Sequence, residues 1–416
     1  MSRTTSFICP SVLLPIAAAT TVALAIAPAD GQVATGRIVN IYNWSDYIAP
    51  RIIEDFTKET GIRVRYDTFD SNDTLETKLL AGKSGYDVVV PTGYFLERQI
   101  KAGIFQKLDK EKLPNLANVW PAIAQRLANY DPGNQYAVNY MWGTTGIGFN
   151  TTKARQSIGP SGEIDSWDAV FKPENLAKFK DCGVHMLDSS DDILPAALHY
   201  LGLDPNTTNE ADLQRSADLV MRIRPFVRKF HSSEYVNALA SGEICFAVGF
   251  SGDVKQSQKR AAEAKNGVEV TYAIPREGAQ LWFDNLAIPR DARNVAEAHA
   301  FINFLQKPEV AATNSNFVSY ANGNLSSQKF IDKAILDRLL CGEVIVAIRI
   351  QSDALNCLTR VLGHDFIQDA TYTQDLARLD FEVTCLTLDS TKGLMDQHRR
   401  VGQAEALALG ARGQQE

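Results

Sequence analysis

Aspartate recurs close to aromatic residues along the chain, and three such segments are candidates for a binding site. The three segments are residues 44–47 (WSDY), 250–253 (FSGD) and 282–284 (WFD). A carboxylate carries the charge opposite to that of an ammonium group. The face of an aromatic ring adds on the order of 2 kcal/mol to a cation when water is excluded. The pattern therefore indicates a site for an organic cation whose apolar chain lies between rings.

Each segment also has a second interpretation. Aspartates next to core aromatics occur in ordinary turns, where the carboxylate caps a helix. Residues 44–47 precede a predicted helix, and a helix N-terminus favours anions. A cation at that place requires Asp46 to reverse the local field. The residues alone therefore leave a phosphate or carboxylate ligand open.

Motifs for chemistry on a bound substrate fail on spacing or context. Residues 82–84 (GKS) look like part of a phosphate-binding loop, but Thr77 occupies the position of the required first glycine, and a helix precedes the loop. Residues 249–252 (GFSG) do not have the G-x-S-x-G spacing. No pair among the six histidines has metal-ligand spacing. We therefore predict no enzyme, no metal site and no cofactor, although the sequence leaves a catalytic triad assembled in space open.

The elements that must position these segments alternate regularly. Pro50 opens a helix that ends at Gly61, and Asp73 with Glu76 predicts an aspartate variant of the capping box at the start of the next helix. The order βαβαβα predicts a parallel sheet, in which ligands bind beyond the carboxyl ends of the strands. Residues 44–47 and 91–94 lie at such ends. The predicted strands are 37–43, 62–69, 86–91 and 285–289, and later helices cover about 95–101 and 298–305.

Composition restricts the class of protein. The chain has 416 residues, of which 45% are hydrophobic, so it is long enough for two or more domains. Its net charge of -7 leaves no basic excess to neutralise phosphates, which argues against binding nucleic acid. An acidic chain suits a cationic ligand, although many soluble proteins are acidic.

The N-terminus predicts export. Arg3 precedes the apolar run 12–27, and Ala25-Ile26-Ala27 or Ala27-Pro28-Ala29 offers a cleavage site. We interpret residues 1–29 as a signal peptide that is removed, and the alternative is a membrane anchor. Since no later segment has 18 uncharged apolar residues, we expect a mature chain that is not embedded in a membrane.

Long stretches of the sequence closely resemble the putrescine/spermidine-binding periplasmic proteins of polyamine import systems. The resemblance runs from about residue 37 to about 335 and includes IYNWSDYIAP, YMWGTTGIGFN, FHSSEYVNALASGEICFAVGFSGDV and FDNLAIP. It implies an α/β fold of two lobes, of the type II periplasmic binding proteins, with the ligand in the cleft between them. The implied boundaries are 37–141 plus 283–325 for lobe 1 and 142–282 plus 326–337 for lobe 2.

The resemblance also implies a function without chemistry. A monomeric periplasmic protein would close around a protonated polyamine and deliver it to the membrane permease of an ABC importer. The alternatives are another small cationic ligand for the same fold, or a relic without function. The implied contact residues are Trp44, Ser45, Asp46, Tyr47, Thr92, Tyr94, Asp192, Phe250, Asp253, Trp282, Asp284 and Tyr320.

The roles implied by the resemblance divide between charge and shape. The four aspartates hold ammonium groups, and the rings enclose the methylene groups. Tyr94 and Trp282 look like spermidine-binding members, whereas Asp46 looks like putrescine-binding members, so we expect spermidine or both ligands. Cys182 and Cys245 align with a cysteine pair of putrescine-binding members, which implies a disulfide.

The resemblance stops near Asp337. Residues 338–416 contain no proline and three of the six cysteines, and they lack the basic ending usual in the family. We interpret this tail as atypical, the product of a frameshift or a replacement. The alternative that the protein is a relic without function depends on this tail.

Overall fold

A computed structural model describes the protein over residues 36–159 and 164–336. The predicted signal peptide and the atypical tail, residues 338–416, lie outside the described residues. Within them, helices and strands alternate along the chain, as the sequence predicts for an α/β fold. The strands are β1 (Ile38–Trp44), β2 (Arg63–Phe69), β3 (Val88–Val89), β4 (Ala137–Asn150), β5 (Val184–Met186), β6 (Lys229–Phe230), β7 (Phe246–Phe250), β8 (Val270–Ala273) and β9 (Gln280–Ala287).

The helices precede or follow these strands and cover the sheet. Short 3-10 turns cover Lys110–Lys112, Pro114–Asn118, Ala177–Phe179, Arg224–Phe226 and Leu325–Phe330. The α-helices are α1 (Pro50–Thr60), α2 (Asn72–Leu80), α3 (Gly93–Lys101), α4 (Pro121–Leu127), α5 (Thr151–Ile158), α6 (Asp168–Phe171), α7 (Pro173–Leu176), α8 (Ser190–Tyr200), α9 (Glu210–Ile223), α10 (Tyr235–Ser241), α11 (Ser251–Ala264), α12 (Val295–Leu305), α13 (Pro308–Val318) and α14 (Lys333–Ile335).

The strands form one mixed sheet in the part of the chain that the structure describes. Its order is β2-β1-β3-β9-β4-β7-β5-β6, with β8 paired to β4. Strands β1, β2 and β3 run parallel, as predicted, and β5 runs parallel to β6 and β7. The strands in the middle, β4 and β9, pair antiparallel with each other and with their neighbours. Two parallel groups are thus joined by an antiparallel pair.

Local signals explain the ends of the first two helices. Pro50 occupies the first turn of α1, and Gly61 ends it in the left-handed conformation at φ 68°. The predicted capping box on α2 is wrong. Ser71, not Asp73, is the N-cap, and its hydroxyl accepts a hydrogen bond from the backbone N–H of Thr74. Glu76 instead forms a bidentate ion pair with Arg98 on α3.

The predicted strand 86–91 is shorter in the structure. Only Val88 and Val89 pair in the ladder, although Val88 to Val90 are all fully buried. Asp87 lies just before the ladder. Its carboxylate accepts hydrogen bonds from the backbone N–H groups of Asn40, Arg293 and Asn294. The apolar run therefore reports burial on both faces and not the length of the ladder.

Two large apolar cores flank the middle of the sheet. The β1 core takes its residues from segments 39–141 and 282–320 and includes Ile41, Phe56 and Phe301. The β7 core takes its residues from 147–273 and includes Trp167 and Phe246. The buried residues of the two cores therefore come from different segments of the chain.

Strand β4 passes from one core to the other. All 14 of its residues are buried. Val138, Tyr140 and Met141 belong to the β1 core, whereas Ile147 and Phe149 belong to the β7 core. The register with β9 shifts between Asn139 and Met141, which marks a bulge in the stretch that lies in the β1 core. This strand and β9 therefore fix the cavity-facing residues of the two cores relative to each other.

The predicted disulfide is present between Cys182 and Cys245. It joins residues 63 positions apart and anchors the start of β5 beside the start of β7. Closure of a loop of this length stabilises the folded chain by about 4 kcal/mol in the chain-entropy model.

We expect the double variant Cys182→Ser/Cys245→Ser to lower the free energy of unfolding by about 4 kcal/mol, because the unfolded chain regains the loop entropy. Guanidinium unfolding at pH 7 measures the effect. Reductant should destabilise the parent by a similar amount and leave the double variant unchanged. Equal stability of parent and variant would contradict this account.

Candidate functional site

A cavity opens where β1, β3, β7 and several helix N-termini converge. Its empty volume is about 680 Å³, counting solvent at the mouth. Of the twelve contact residues predicted from the sequence, eleven line it: Trp44, Ser45, Tyr47, Thr92, Tyr94, Asp192, Phe250, Asp253, Trp282, Asp284 and Tyr320.

Three aspartates, here called the cavity carboxylates, lie deepest in this site. Asp192 and Asp284 are 2% and 4% exposed, and Asp253 is partly buried. Each accepts two hydrogen bonds from hydroxyl groups. The pairs are Ser189 (2.7 Å) and Thr145 (2.8 Å) on Asp192, Tyr235 (2.8 Å) and Tyr320 (2.7 Å) on Asp253, and Thr92 (2.6 Å) and Tyr47 (2.9 Å) on Asp284.

The hydroxyl pairs leave part of each carboxylate available to a ligand. An ionised carboxylate accepts about four hydrogen bonds, so two hydroxyls occupy about half of its capacity. The remaining lone pairs suit a donor, and charge-assisted hydrogen bonds from ammonium groups are roughly twice as strong as neutral ones. The arrangement therefore favours a cationic ligand with several N–H donors.

Burial raises the pKa of all three cavity carboxylates. The pKa is about 7 for Asp284 and about 6 for Asp192 and Asp253, while the hydroxyl hydrogen bonds act in the opposite direction. The negative charges of Asp192 and Asp253 raise the pKa of Asp284 further, so the three carboxylates interact within one cavity.

Helix N-termini support two of these charges. Asp192 lies in the first turn of α8, and Asp253 lies in the first turn of α11. The positive end of a helix dipole stabilises a carboxylate by about 0.3–1 kcal/mol. At these two helix ends the positive end of the dipole therefore meets the protein's own carboxylates.

Aromatic rings form one wall of the cavity. Trp282 contacts Phe250 edge-on at a centroid distance of 5.5 Å and Tyr320 at 5.5 Å, and Tyr320 contacts Tyr47 edge-on at 5.0 Å. Gly143 faces Trp282 across the β4–β9 ladder, and a Cβ there would meet the indole ring at 3.0 Å. The ring therefore lies against bare backbone. This wall suits the methylene groups of a ligand.

Asp46 is the predicted contact that the structure places outside the cavity lining. Its backbone is left-handed at φ 55°, and its carboxylate pairs with Arg260 of α11 at 3.0 Å. Gln256 also donates a hydrogen bond to the Asp46 carbonyl at 3.4 Å. In this conformation Asp46 links the two sides of the cavity from outside.

Sequence reasoning missed two groups of residues. Asp70, Asp73, Asp188 and Asp191 line the cavity, and of these four only Asp70 has an aromatic neighbour in the sequence, Phe69. Tyr235 and Thr145 lie behind the lining and donate to cavity carboxylates. No signal in the sequence singles out a buried tyrosine of α10 as a partner of an aspartate on α11.

The charged residues of the cavity lining are all acidic. Seven of its residues are aspartates, and none of the lining residues is lysine, arginine or histidine. Among the described residues, no group of three His, Cys, Asp or Glu side chains could hold a metal ion. Across the same part of the chain, no helix is long and apolar enough to span a membrane.

Residues 51–336 match the family described as bacterial extracellular solute-binding protein. The chain belongs to this family. This solute-binding protein is 55% identical over 304 residues to the putrescine-binding periplasmic protein SpuD of Pseudomonas aeruginosa, a match that spans 73% of this chain and 83% of the relative. It is 50% identical over 300 residues to the putrescine-binding periplasmic protein PotF of Escherichia coli, spanning 72% and 81%.

Solved structures show the same fold. The spermidine/putrescine ABC transporter substrate-binding protein PotD of Streptococcus pneumoniae aligns with TM-score 0.58 and 30% identity over 72% of this chain and 87% of its own. The lipoprotein Tp0655 (TpPotD) of Treponema pallidum aligns with TM-score 0.61 and 29% identity over 71% and 89%. The prediction of a two-lobe α/β binding-protein fold is confirmed.

The raised pKa of Asp284 predicts a stability cost in the unliganded solute-binding protein. A carboxyl group whose pKa is higher in the folded chain contributes stability below its unfolded pKa, near 4, and this contribution is lost as pH rises through about 7. We expect Asp284→Asn to raise the free energy of unfolding at pH 8, by up to about 4 kcal/mol. Urea unfolding between pH 5 and 8 measures it.

The exposed Asp188 provides the matched control. Asp188→Asn should follow the parent within about 0.5 kcal/mol at each pH. A variant Asp284→Asn that is less stable than the parent at pH 8 would contradict a desolvated charge at this position.

Proposed function

We propose that this solute-binding protein captures a protonated polyamine, putrescine or spermidine or both, and delivers it to an ABC-type membrane importer. The observation that carries the proposal is the cluster of three cavity carboxylates beside an aromatic wall, in a lining without basic residues. A polyamine has the complementary shape, because ammonium charges alternate with methylene segments along a flexible chain. Each ammonium group would take up the lone pairs that the hydroxyls leave open.

The named relatives support the same ligand class. SpuD and PotF are named as putrescine-binding proteins, and a spermidine/putrescine-binding periplasmic protein of Salmonella typhimurium is 34% identical over 314 residues. The cavity carboxylates and the aromatic wall of this chain support a cationic ligand independently of those names.

The number of cavity carboxylates favours the triamine. Spermidine would place its secondary ammonium at Asp284, whose charge interacts with both others, and its ends at Asp192 and Asp253, whereas putrescine would satisfy two of the three charges. Tyr94 lies near the same carboxylates, since burial first and the charges of Asp192 and Asp191 next raise the pKa of its hydroxyl. We therefore propose tighter binding of spermidine than of putrescine.

The remaining parts of the proposal concern location and domains. We propose a periplasmic, monomeric protein without enzymatic activity, exported by the signal peptide 1–29. Lobe 1 comprises 37–141 plus 283–325, and lobe 2 comprises 142–282. For residues 326–336 we favour lobe 1, because Asn316 of α13 donates to the Phe330 carbonyl and accepts from the Asp332 N–H.

We expect isothermal titration at pH 7.5 to give strong binding of spermidine by the parent, and a loss of about 10- to 100-fold or more in Asp284→Asn. The loss should be larger for spermidine than for putrescine, since the proposed pose places the central ammonium of spermidine at Asp284. Asp181→Asn, at an exposed position outside the cavity lining, should stay within about threefold of the parent.

Each of the other outcomes would favour an alternative. Equal losses for both ligands would mean that Asp284 does not hold the secondary ammonium of spermidine. Binding of a different small cation alone would leave the fold and change the ligand. A folded parent that binds no cation would favour the relic without function.

We also expect affinity to depend on pH. A cation binds more tightly to ionised carboxylates. The affinity should therefore be highest above the pKa of about 7 for Asp284 and should fall as the pH drops through 7 and 6. Below pH 6 the dissociation constant should rise about tenfold per pH unit for each protonated group. Asp284→Asn should begin this loss nearer pH 6. A dissociation constant that is constant from pH 8 to 5 would refute the linkage.

A further inference from the structure

Asp253 receives its two hydroxyl hydrogen bonds from different cores. The hydroxyl of Tyr235 donates to Oδ2 at 2.8 Å, and Tyr235 is a member of the β7 core. The hydroxyl of Tyr320 donates to Oδ1 at 2.7 Å, and Tyr320 is a member of the β1 core. Of the three cavity carboxylates, Asp253 is the one held by tyrosines of both cores.

Tyr235 and Asp253 form a unit within the β7 core. Tyr235 is fully buried on α10, and its hydroxyl also accepts a hydrogen bond from the Phe250 N–H at 2.9 Å. Helix α11, which carries Asp253, packs into the same core through Val254 and Ala261. These contacts lie on one side of the cavity and do not require the other core.

Tyr320 approaches Asp253 from the opposite side. Its hydroxyl accepts a hydrogen bond from the Asp253 N–H at 3.1 Å, one of the free donors in the first turn of α11. Its ring lies on Gly252, where an added Cβ would meet ring carbons at 2.4 Å. This close approach requires glycine, and it brings the β1 core into direct contact with the start of α11.

We propose that Asp253 couples ligand capture to closure of the cavity, because Tyr235 orients its carboxylate within the β7 core and Tyr320 completes the hydrogen bonds only when the two cores come together. The proposal rests on the proposed function for the identity of the ligand. Both tyrosines act as positioning residues for the carboxylate that would hold one end of the polyamine. Tyr320 also lines the cavity, whereas Tyr235 does not.

Two partly exposed side-chain contacts also join the sides of the cavity. Arg260 of α11 pairs with Asp46 at 3.0 Å, and His231, which is charged only when protonated, lies 3.8 Å from Asp70. Exposed pairs contribute little and are screened by salt, whereas the Asp253–Tyr320 contact lies inside. High salt therefore separates the two contributions to closure.

Two backbone amides report the two sides separately. The Phe250 N–H donates to Tyr235, and the Asp253 N–H donates to Tyr320. Residue-resolved amide hydrogen exchange in the full chain at 0.5 M NaCl (about a 4 Å screening length) follows both. In the parent, spermidine should slow exchange at Asp253 at least tenfold and leave Phe250 unchanged within about twofold.

Three variants assign the contacts. Tyr320→Phe and Gly252→Ala should abolish the ligand-dependent slowing at Asp253 and leave exchange at Phe250 as it is in the parent. Gly252→Ala does so with both hydroxyls intact. Tyr235→Phe should release the Phe250 amide and weaken spermidine binding about tenfold, while ligand still slows Asp253. Tyr200→Phe is the matched control, since its hydroxyl donates to Asp168, a carboxylate outside the cavity lining.

The outcomes separate this proposal from the proposed function. If Gly252→Ala keeps the ligand-dependent slowing at Asp253, the coupling is wrong even though polyamine binds. If the parent binds no polyamine, the proposed function is wrong. A parent that binds spermidine without slower exchange at Asp253 would also overturn the coupling and would leave the proposed function intact.

Discussion

The site depends on keeping three carboxylates charged in a cavity that contains no basic side chain among its lining residues. Burial favours the protonated form, as the raised pKa values of Asp192, Asp253 and Asp284 indicate. Six hydroxyls and two helix N-termini act in the opposite direction. The balance leaves carboxylates that ionise readily near neutral pH but lack a counter-ion. A cationic ligand supplies that missing charge, so binding and ionisation are linked.

The fold provides this balance by bringing hydroxyl donors from other parts of the chain to each carboxylate. Asp284 lies on β9, but its donors follow β1 and β3, which lie next to β9 in the sheet or one strand further. Strand β4 belongs to both cores and carries Thr145, a donor to Asp192, on the side of the β7 core. The mixed sheet order therefore determines which hydroxyl reaches which carboxylate.

The sequence predicted the parts of this arrangement that depend on local pattern or on family resemblance. Apolar patterns predicted the first three strands, with alternation in 62–69 and a continuous apolar run in 86–91, and their parallel pairing followed from the βαβ order. The position of Asp46 was beyond such reasoning, since its left-handed backbone and its partner Arg260, more than 200 residues away, depend on tertiary contact. The same holds for Tyr235, whose helical position gives no sign that its hydroxyl faces α11. The N-cap of α2 was missed because Ser71 and Asp73 are both good capping residues, and the backbone angles alone decide between them.

The hydroxyl pairs on the cavity carboxylates bear on discrimination between cations of different charge density. A divalent metal ion prefers six or more oxygen ligands around one point, and Mg²⁺ gives up its water reluctantly. Here each carboxylate already accepts two protein hydroxyls, and rings such as Trp282 and Tyr320 occupy wall positions where further oxygens would be needed. The lining is thus acidic without being a chelator. It favours a molecule whose charges are dilute, weakly hydrated and spaced along an apolar chain over a compact inorganic ion, however abundant that ion is.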